Sequence, residues 1–224
     1  MPAGKPYLFT SGAGSVLVSK VGSFLASAEA LDYLVAGYAR SLERLAACID
    51  ILLQAGGETK YDAPAVLALL RGRLDGLAEQ IEADPALVNR RFCGLDCGMT
   101  GGRRLTLLGG TLLHVAAEYG NLEAATLLLD RGADINARAT VDDAGAGGQT
   151  AIFHAVTQFD DGGLPVTQLL LERGADLTVR AKLPGDYERP GEFVECTALG
   201  YALLFGGASQ RRTVTLLRKR GAVE

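Results

Sequence analysis

The residues best suited to chemistry in this 224-residue chain are two histidines and four cysteines. Cys93 and Cys97 enclose Gly94-Leu95-Asp96, a C-x3-C spacing. A structural zinc takes four ligands, and the other soft ligands, Cys48, Cys196, His114 and His154, all lie far off in sequence. The Cys93–Cys97 pair therefore admits a zinc site, a reversible disulfide or two free thiols, and the ligand count favours free thiols. Neither histidine has a nucleophile or an orienting carboxylate in a recognisable pattern beside it. Gly12-Ala13-Gly14 and Gly101-Gly102 belong to no phosphate-loop motif in a strand–turn–helix setting. The carboxylates are scattered, with no pair placed for acid–base work. The expectation is a protein without catalytic residues, without a cofactor and without a metal.

What would position these residues is a repeated unit. The run Gly110-Thr111-Leu112-Leu113-His114-Val115-Ala116-Ala117 leads to Leu127-Leu128-Leu129-Asp130-Arg131-Gly132-Ala133-Asp134. A second copy runs from Gly148-Gln149-Thr150-Ala151-Ile152-Phe153-His154-Ala155 to Leu169-Leu170-Leu171-Glu172-Arg173-Gly174-Ala175-Asp176. A looser copy closes the chain, from Thr197-Ala198-Leu199-Gly200-Tyr201-Ala202 to Leu216-Leu217-Arg218-Lys219-Arg220-Gly221-Ala222. A divergent copy, Ala63-Pro64-Ala65-Val66-Leu67-Ala68-Leu69-Leu70-Arg71-Gly72, precedes them.

Each copy has a physical reading as a helix pair. Threonine ahead of an apolar run is a helix N-cap whose hydroxyl can accept from a free N–H. Leu113, Ala116 and Ala117 share one face at helical spacing. Gly120 and Gly163 should end first helices, and Gly132 and Gly174 second helices, as left-handed caps. A single pair cannot bury its apolar face, so neighbours must stack into one continuous core.

The threonine-led run with its histidine and alanine, followed by the leucine triplet and Gly-Ala-Asp, resembles the ankyrin repeat family. The resemblance implies an all-α solenoid of four to five helix pairs with long inter-repeat fingers. Residues 1–26 would form an irregular N-terminal segment. A single repeat domain would fill 27–224, with pairs at about 27–57, 63–90, 111–137, 150–179 and 197–222. Thr111 to Thr150 spans 39 positions and Thr150 to Thr197 spans 47, against a family period of 33. The surplus falls at about Arg90–Gly109, Ala139–Gly147 and Ala181–Glu195, where the family forms its hairpin fingers.

The resemblance implies a non-catalytic protein-interaction module, such as a scaffold, an inhibitor or an immunity-type protein. Its partner would meet the fingers and the exposed end of each first helix. The finger candidates are Arg103 and Arg104, then Arg138 and Asp142, then Lys182, Tyr187, Glu188, Arg189 and Phe193. Counting from each threonine gives Glu118, Tyr119 and Gln158 as helix-end candidates. At the family's histidine position stands His114, which implies a loop-tying role, whereas His154 falls one residue late. The alternative is a regulator responsive to a small ligand or metal through the Cys93–Cys97 segment.

Composition sets the remaining bounds. A net charge of −4 lacks the basic footprint of a nucleic-acid binder. No apolar run is long enough to span a membrane. Lys5, Ser15–Leu25 and Ala26-Ser27-Ala28 loosely imitate a signal peptide, but Lys20 and Gly22 break the pattern. The expected setting is the cytoplasm, with a protein partner and a monomeric chain. Tyr33, Leu34, Tyr38, Leu42 and Leu45 run at helical spacing and would cap the solenoid.

Overall fold

A computed structural model describes residues 42–57, 64–93, 105–185, 191–206 and 211–224. The Tyr33–Tyr38 part of the N-terminal stripe, Arg103, Arg104, Cys97, Tyr187, Glu188 and Arg189 lie outside the described residues. The helices are α1 (Leu42–Gln54), α2 (Pro64–Leu70), α3 (Leu74–Ala83), α4 (Leu112–Glu118), α5 (Leu122–Asp130), α6 (Ala151–Ala155), α7 (Leu164–Glu172), α8 (Ala198–Gly206) and α9 (Arg211–Lys219). Two strands, β1 (Ala181–Pro184) and β2 (Phe193–Cys196), form an antiparallel hairpin. The architecture is a mostly helical repeat fold.

Small residues at the sequence-predicted inward positions make the stacking close. Leu113, Ala116 and Ala117 are fully buried on α4, as are Ala124, Ala125 and Leu128 on α5. First helices pack on first helices, in the order α2, α4, α6, α8. Second helices follow in parallel order, α3, α5, α7, α9, so two layers enclose one core. Leu45, Ile49 and Leu52 of α1 join that core at its N-terminal end, where α1 meets α2. Phe153 and Tyr201, both fully buried, pack ring to ring between α6 and α8.

The turns are specific. Gly132 and Gly174 have φ of +86° and +89°, the left-handed conformation expected after a second helix. Gly163 is a correction. Its φ is −89°, and α6 has already ended at Ala155. It is glycine because of close approach: a Cβ there would stand 1.9 Å from the Ala155 carbonyl oxygen. Between them, Asp160 and Asp161 hold left-handed φ of 52° and 55°.

Polar side chains tie each pair to the next. Asn89 donates from Nδ2 to the Gly132 carbonyl at 3.1 Å, and its Oδ1 accepts the Asp134 N–H at 2.7 Å. Asn136 repeats half of this one step on, accepting the Asp176 N–H at 2.9 Å. Asp161 reaches across to the start of α9 and accepts the Thr213 N–H, the Thr213 hydroxyl and the Arg212 N–H.

Candidate functional site

Buried polar groups first show how the sites are held. His114 Nδ1 accepts the Thr111 N–H at 3.0 Å, and Nε2 donates to the Gln149 carbonyl at 3.2 Å. That pattern requires a neutral ring protonated on Nε2. Burial, reinforced by the nearby His154, lowers the pKa of His114 to about 3. His114 thus ties the loop before α4 to the loop before α6, the role the family resemblance implies. His154 meets it edge to face, with ring centroids 5.7 Å apart.

Threonine capping is uneven. The Thr197 hydroxyl accepts the Gly200 N–H at the start of α8, whereas the Thr150 hydroxyl is buried and caps no N–H. At Thr111 the ring of His114 supplies the reciprocal bond instead.

Two of the helix-end candidates are corrected by their burial. Glu118 is 4% exposed, and its Oε2 lies 2.7 Å from His154 Nδ1. The carboxylate sits between α4 and α6 and presents no free surface. Gln158 is also buried, donating to the His154 carbonyl at 2.9 Å. For Gln158 the cause is the short α6, which ends at Ala155 and leaves the following turn bonded back onto the helix. Tyr119 is half-buried against the core.

The remaining described candidates converge on the opposite rim. Val141 bridges Gly147 in antiparallel fashion, closing a tight turn. Asp142 caps that turn itself, accepting the N–H groups of Ala144 and Ala146 at 2.9 and 2.8 Å. Gly147 then pairs with Lys182 of β1, donating its N–H to the Lys182 carbonyl at 2.8 Å. Its smallness is required here, because a Cβ would fall 2.1 Å from the Thr140 carbonyl oxygen. Lys182 Nζ returns to the Ala144 carbonyl at 2.8 Å. Arg138 donates to the Arg180 carbonyl at 2.7 Å, and Arg180 donates to the Glu195 carbonyl at 2.8 Å.

Segments 139–147, 181–185 and 191–196 are therefore one connected platform, a junction the sequence did not reveal. Its outer face carries Lys182, Phe193 and Glu195, with the Lys182 ammonium 5.7 Å from the Phe193 ring centroid. Val141 and Phe193 are 52% and 46% exposed, unusual for large apolar side chains. Its inner face, Ala181 and Leu183, is buried in the core. Cys196 also points inward, and burial raises its thiol pKa to about 11, which keeps it protonated.

Chemically the platform offers mixed charge, exposed apolar side chains and backbone edge. Cys93 is exposed with a free thiol. Among the described residues no group of three or more His, Cys, Asp or Glu could hold a metal ion, and no helix is long and apolar enough to cross a membrane.

No curated protein matches the chain. The sequence model of the ankyrin repeats, in three copies, matches residues 77–181. That stretch runs from within α3 through α7 and takes in the His114 and His154 ties and the first residue of β1. With their threonine-led first helices, leucine-rich second helices and glycine caps, residues 77–181 are similar to ankyrin repeats.

Proposed function

We propose that the chain is a non-catalytic interaction module of four to five helix pairs whose long inter-repeat segments bind another protein. Ankyrin repeats generally mediate protein–protein interactions and are typically non-enzymatic. The observation that carries the finer reading is the backbone pairing of Gly147 with Lys182, which joins two of those segments into one surface. Arg138, Asp142, Lys182 and Phe193 are the described residues assigned to it. Arg103, Arg104, Tyr187, Glu188 and Arg189 belong to the same reading through their sequence positions.

Exposed aromatic and aliphatic side chains ringed by charge make up the usual centre of a binding patch. Val141 and Phe193 supply that centre, and Arg138, Lys182 and Glu195 supply its rim. The test uses the full chain as bait in affinity capture, followed by affinity measurement with the identified partner. Val141→Ser with Phe193→Ser should weaken binding at least tenfold at an unchanged thermal midpoint. Wild-type affinity in the double variant would remove the platform from the interface.

A further inference from the structure

The hairpin has two edges, and among the described residues a neighbouring backbone segment pairs with one of them, at Lys182. Gly185 donates to the Glu192 carbonyl at 2.9 Å, so these two residues form a hydrogen-bonded pair in the register Ala181↔Cys196. Antiparallel pairs alternate. Leu183↔Val194 and Ala181↔Cys196 therefore bond inward, while Lys182, Pro184, Phe193 and Glu195 turn their backbone groups outward. Two independent contacts agree with this phase. The Lys182 carbonyl meets Gly147, and the Glu195 carbonyl meets the Arg180 guanidinium.

On the β1 side, Gly147 pairs with Lys182, and Pro184 has no N–H to offer. On the β2 side, the Phe193 N–H and carbonyl and the Glu195 N–H have no hydrogen-bond partner among the described residues. Edges are blunted by shortness, charge, proline or a bulge; β2, Phe193-Val194-Glu195-Cys196, is short and carries the charge of Glu195 but has no proline, lysine or bulge. The exposed Phe193 side chain stands beside the open groups.

We infer that β2 is a strand-addition site for an extended segment of a partner protein. A helix cannot supply the alternating acceptor and donor that this edge requires, because its own backbone groups are already paired. An extended chain can, and the molecule already shows the arrangement once where Gly147 covers Lys182. Side chains of the added strand alternate between faces. The one opposite Phe193 lies on the solvent face and is best apolar, giving a cross-strand pair. The inference rests on the platform reading above and states how that surface is read.

Backbone recognition can be separated from side-chain recognition at one position. The N–H of Glu195 points outward, so Glu195→Pro removes a donor to the partner and no β1–β2 hydrogen bond. Glu195→Ala removes the carboxylate alone. A library of random linear twelve-residue peptides is selected on the full wild-type chain, and the recovered peptides are measured against each variant. Glu195→Pro should weaken binding at least tenfold, and Glu195→Ala less than threefold. The Phe193 and Glu195 amides should exchange at least tenfold more slowly when peptide is bound.

Failure to recover any peptide overturns the inference, as does equal binding by the two variants or unchanged exchange at both amides. So does a dimer of the free chain that Glu195→Pro converts to monomer, because the edge would then belong to a second copy. If Val141→Ser with Phe193→Ser abolishes binding while Glu195→Pro matches Glu195→Ala, the platform stands and strand addition falls.

Discussion

Replacing His114 by glutamine should flatten the acid sensitivity of the fold. His114 is fully buried and neutral, with a pKa lowered from 6.5 to about 3, chiefly by burial. In the unfolded chain its pKa returns to the ordinary histidine value. Below pH 6.5 the unfolded state therefore binds a proton that the folded state refuses, and stability falls as pH falls. Each pH unit costs about 1.4 kcal/mol. The loss is about 2 kcal/mol at pH 5 and approaches about 5 kcal/mol below pH 3, where the folded ring also protonates.

Glutamine is chosen because it can keep the local bond. At the third position of a helix it accepts the N–H of the capping residue, here Thr111. What it surrenders is the bond from His114 Nε2 to the Gln149 carbonyl. Losing a buried bond of this kind costs about 2 kcal/mol at neutral pH. The variant is then the weaker chain at pH 7 but lacks the proton penalty, so the two stability curves should cross near pH 5. Urea unfolding at half-unit steps from pH 7.5 to 4.5 reads both curves. The other titrating groups are common to the two chains, and His154 is the histidine whose ring meets position 114, so the difference reads position 114 together with that neighbour. Parallel curves across that range would refute the reasoning.

Two other substitutions test the ties between repeats. Glu118→Ala removes the buried carboxylate that meets His154 Nδ1 and should cost about 3 kcal/mol, against about 1 kcal/mol for Glu118→Gln, whose amide can keep a hydrogen bond there; equal losses in urea unfolding would contradict a tie made by hydrogen bonding. Burial opposes the charge on Asp161, but the Thr213 hydroxyl and the Thr213 and Arg212 N–H groups prevail and hold its pKa below the usual value. Asp161→Ala should therefore cost about 1–2 kcal/mol and speed amide exchange at Thr213. Asp161→Asn, which tolerates the left-handed backbone, should cost less. Unchanged exchange in the alanine variant would mean that Asp161 does not cap α9.

What the sequence made legible was whatever repeats locally. The spacing of Leu113, Ala116 and Ala117 identified a buried helix face, and Gly132 and Gly174 marked helix ends, because periodicity and left-handed backbone need only neighbouring residues. Gln158 was misplaced because counting from the threonine assumes a constant helix length, and α6 stops at Ala155; Glu118 was misplaced because the next repeat's His154 meets its carboxylate and buries it. The contacts of His114 with Gln149 and of Asp161 with Thr213 span 35 and 52 positions. No local pattern encodes the second distance, and the first was reached only through the family's histidine position. The platform was half legible: its segments stood out by excess length, while their pairing depended on the register that only the stacked helices set.

That register bears on how the platform would bind. Several of its polar side chains are spent inside it. Asp142 caps its own turn, Lys182 holds Ala144, Arg138 holds the Arg180 carbonyl and Arg180 holds the Glu195 carbonyl. A charged residue already fixed by an internal bond is a poor anchor for a partner, since binding would exchange one hydrogen bond for another. Its contribution is to fix the backbone from which Val141 and Phe193 project. Ordering a loose loop on binding would cost about 0.5–1.5 kcal/mol for each immobilised long side chain. Here folding has already met much of that cost. The net gain therefore falls to the exposed apolar side chains and the open strand edge. On this argument single alanine substitutions at Arg138 or Asp142 should act by loosening the platform, and Phe193→Ala by removing a contact. Amide exchange in the unbound chain separates the two: it should quicken at Gly147 and Lys182 in the first pair of variants and stay unchanged in the last.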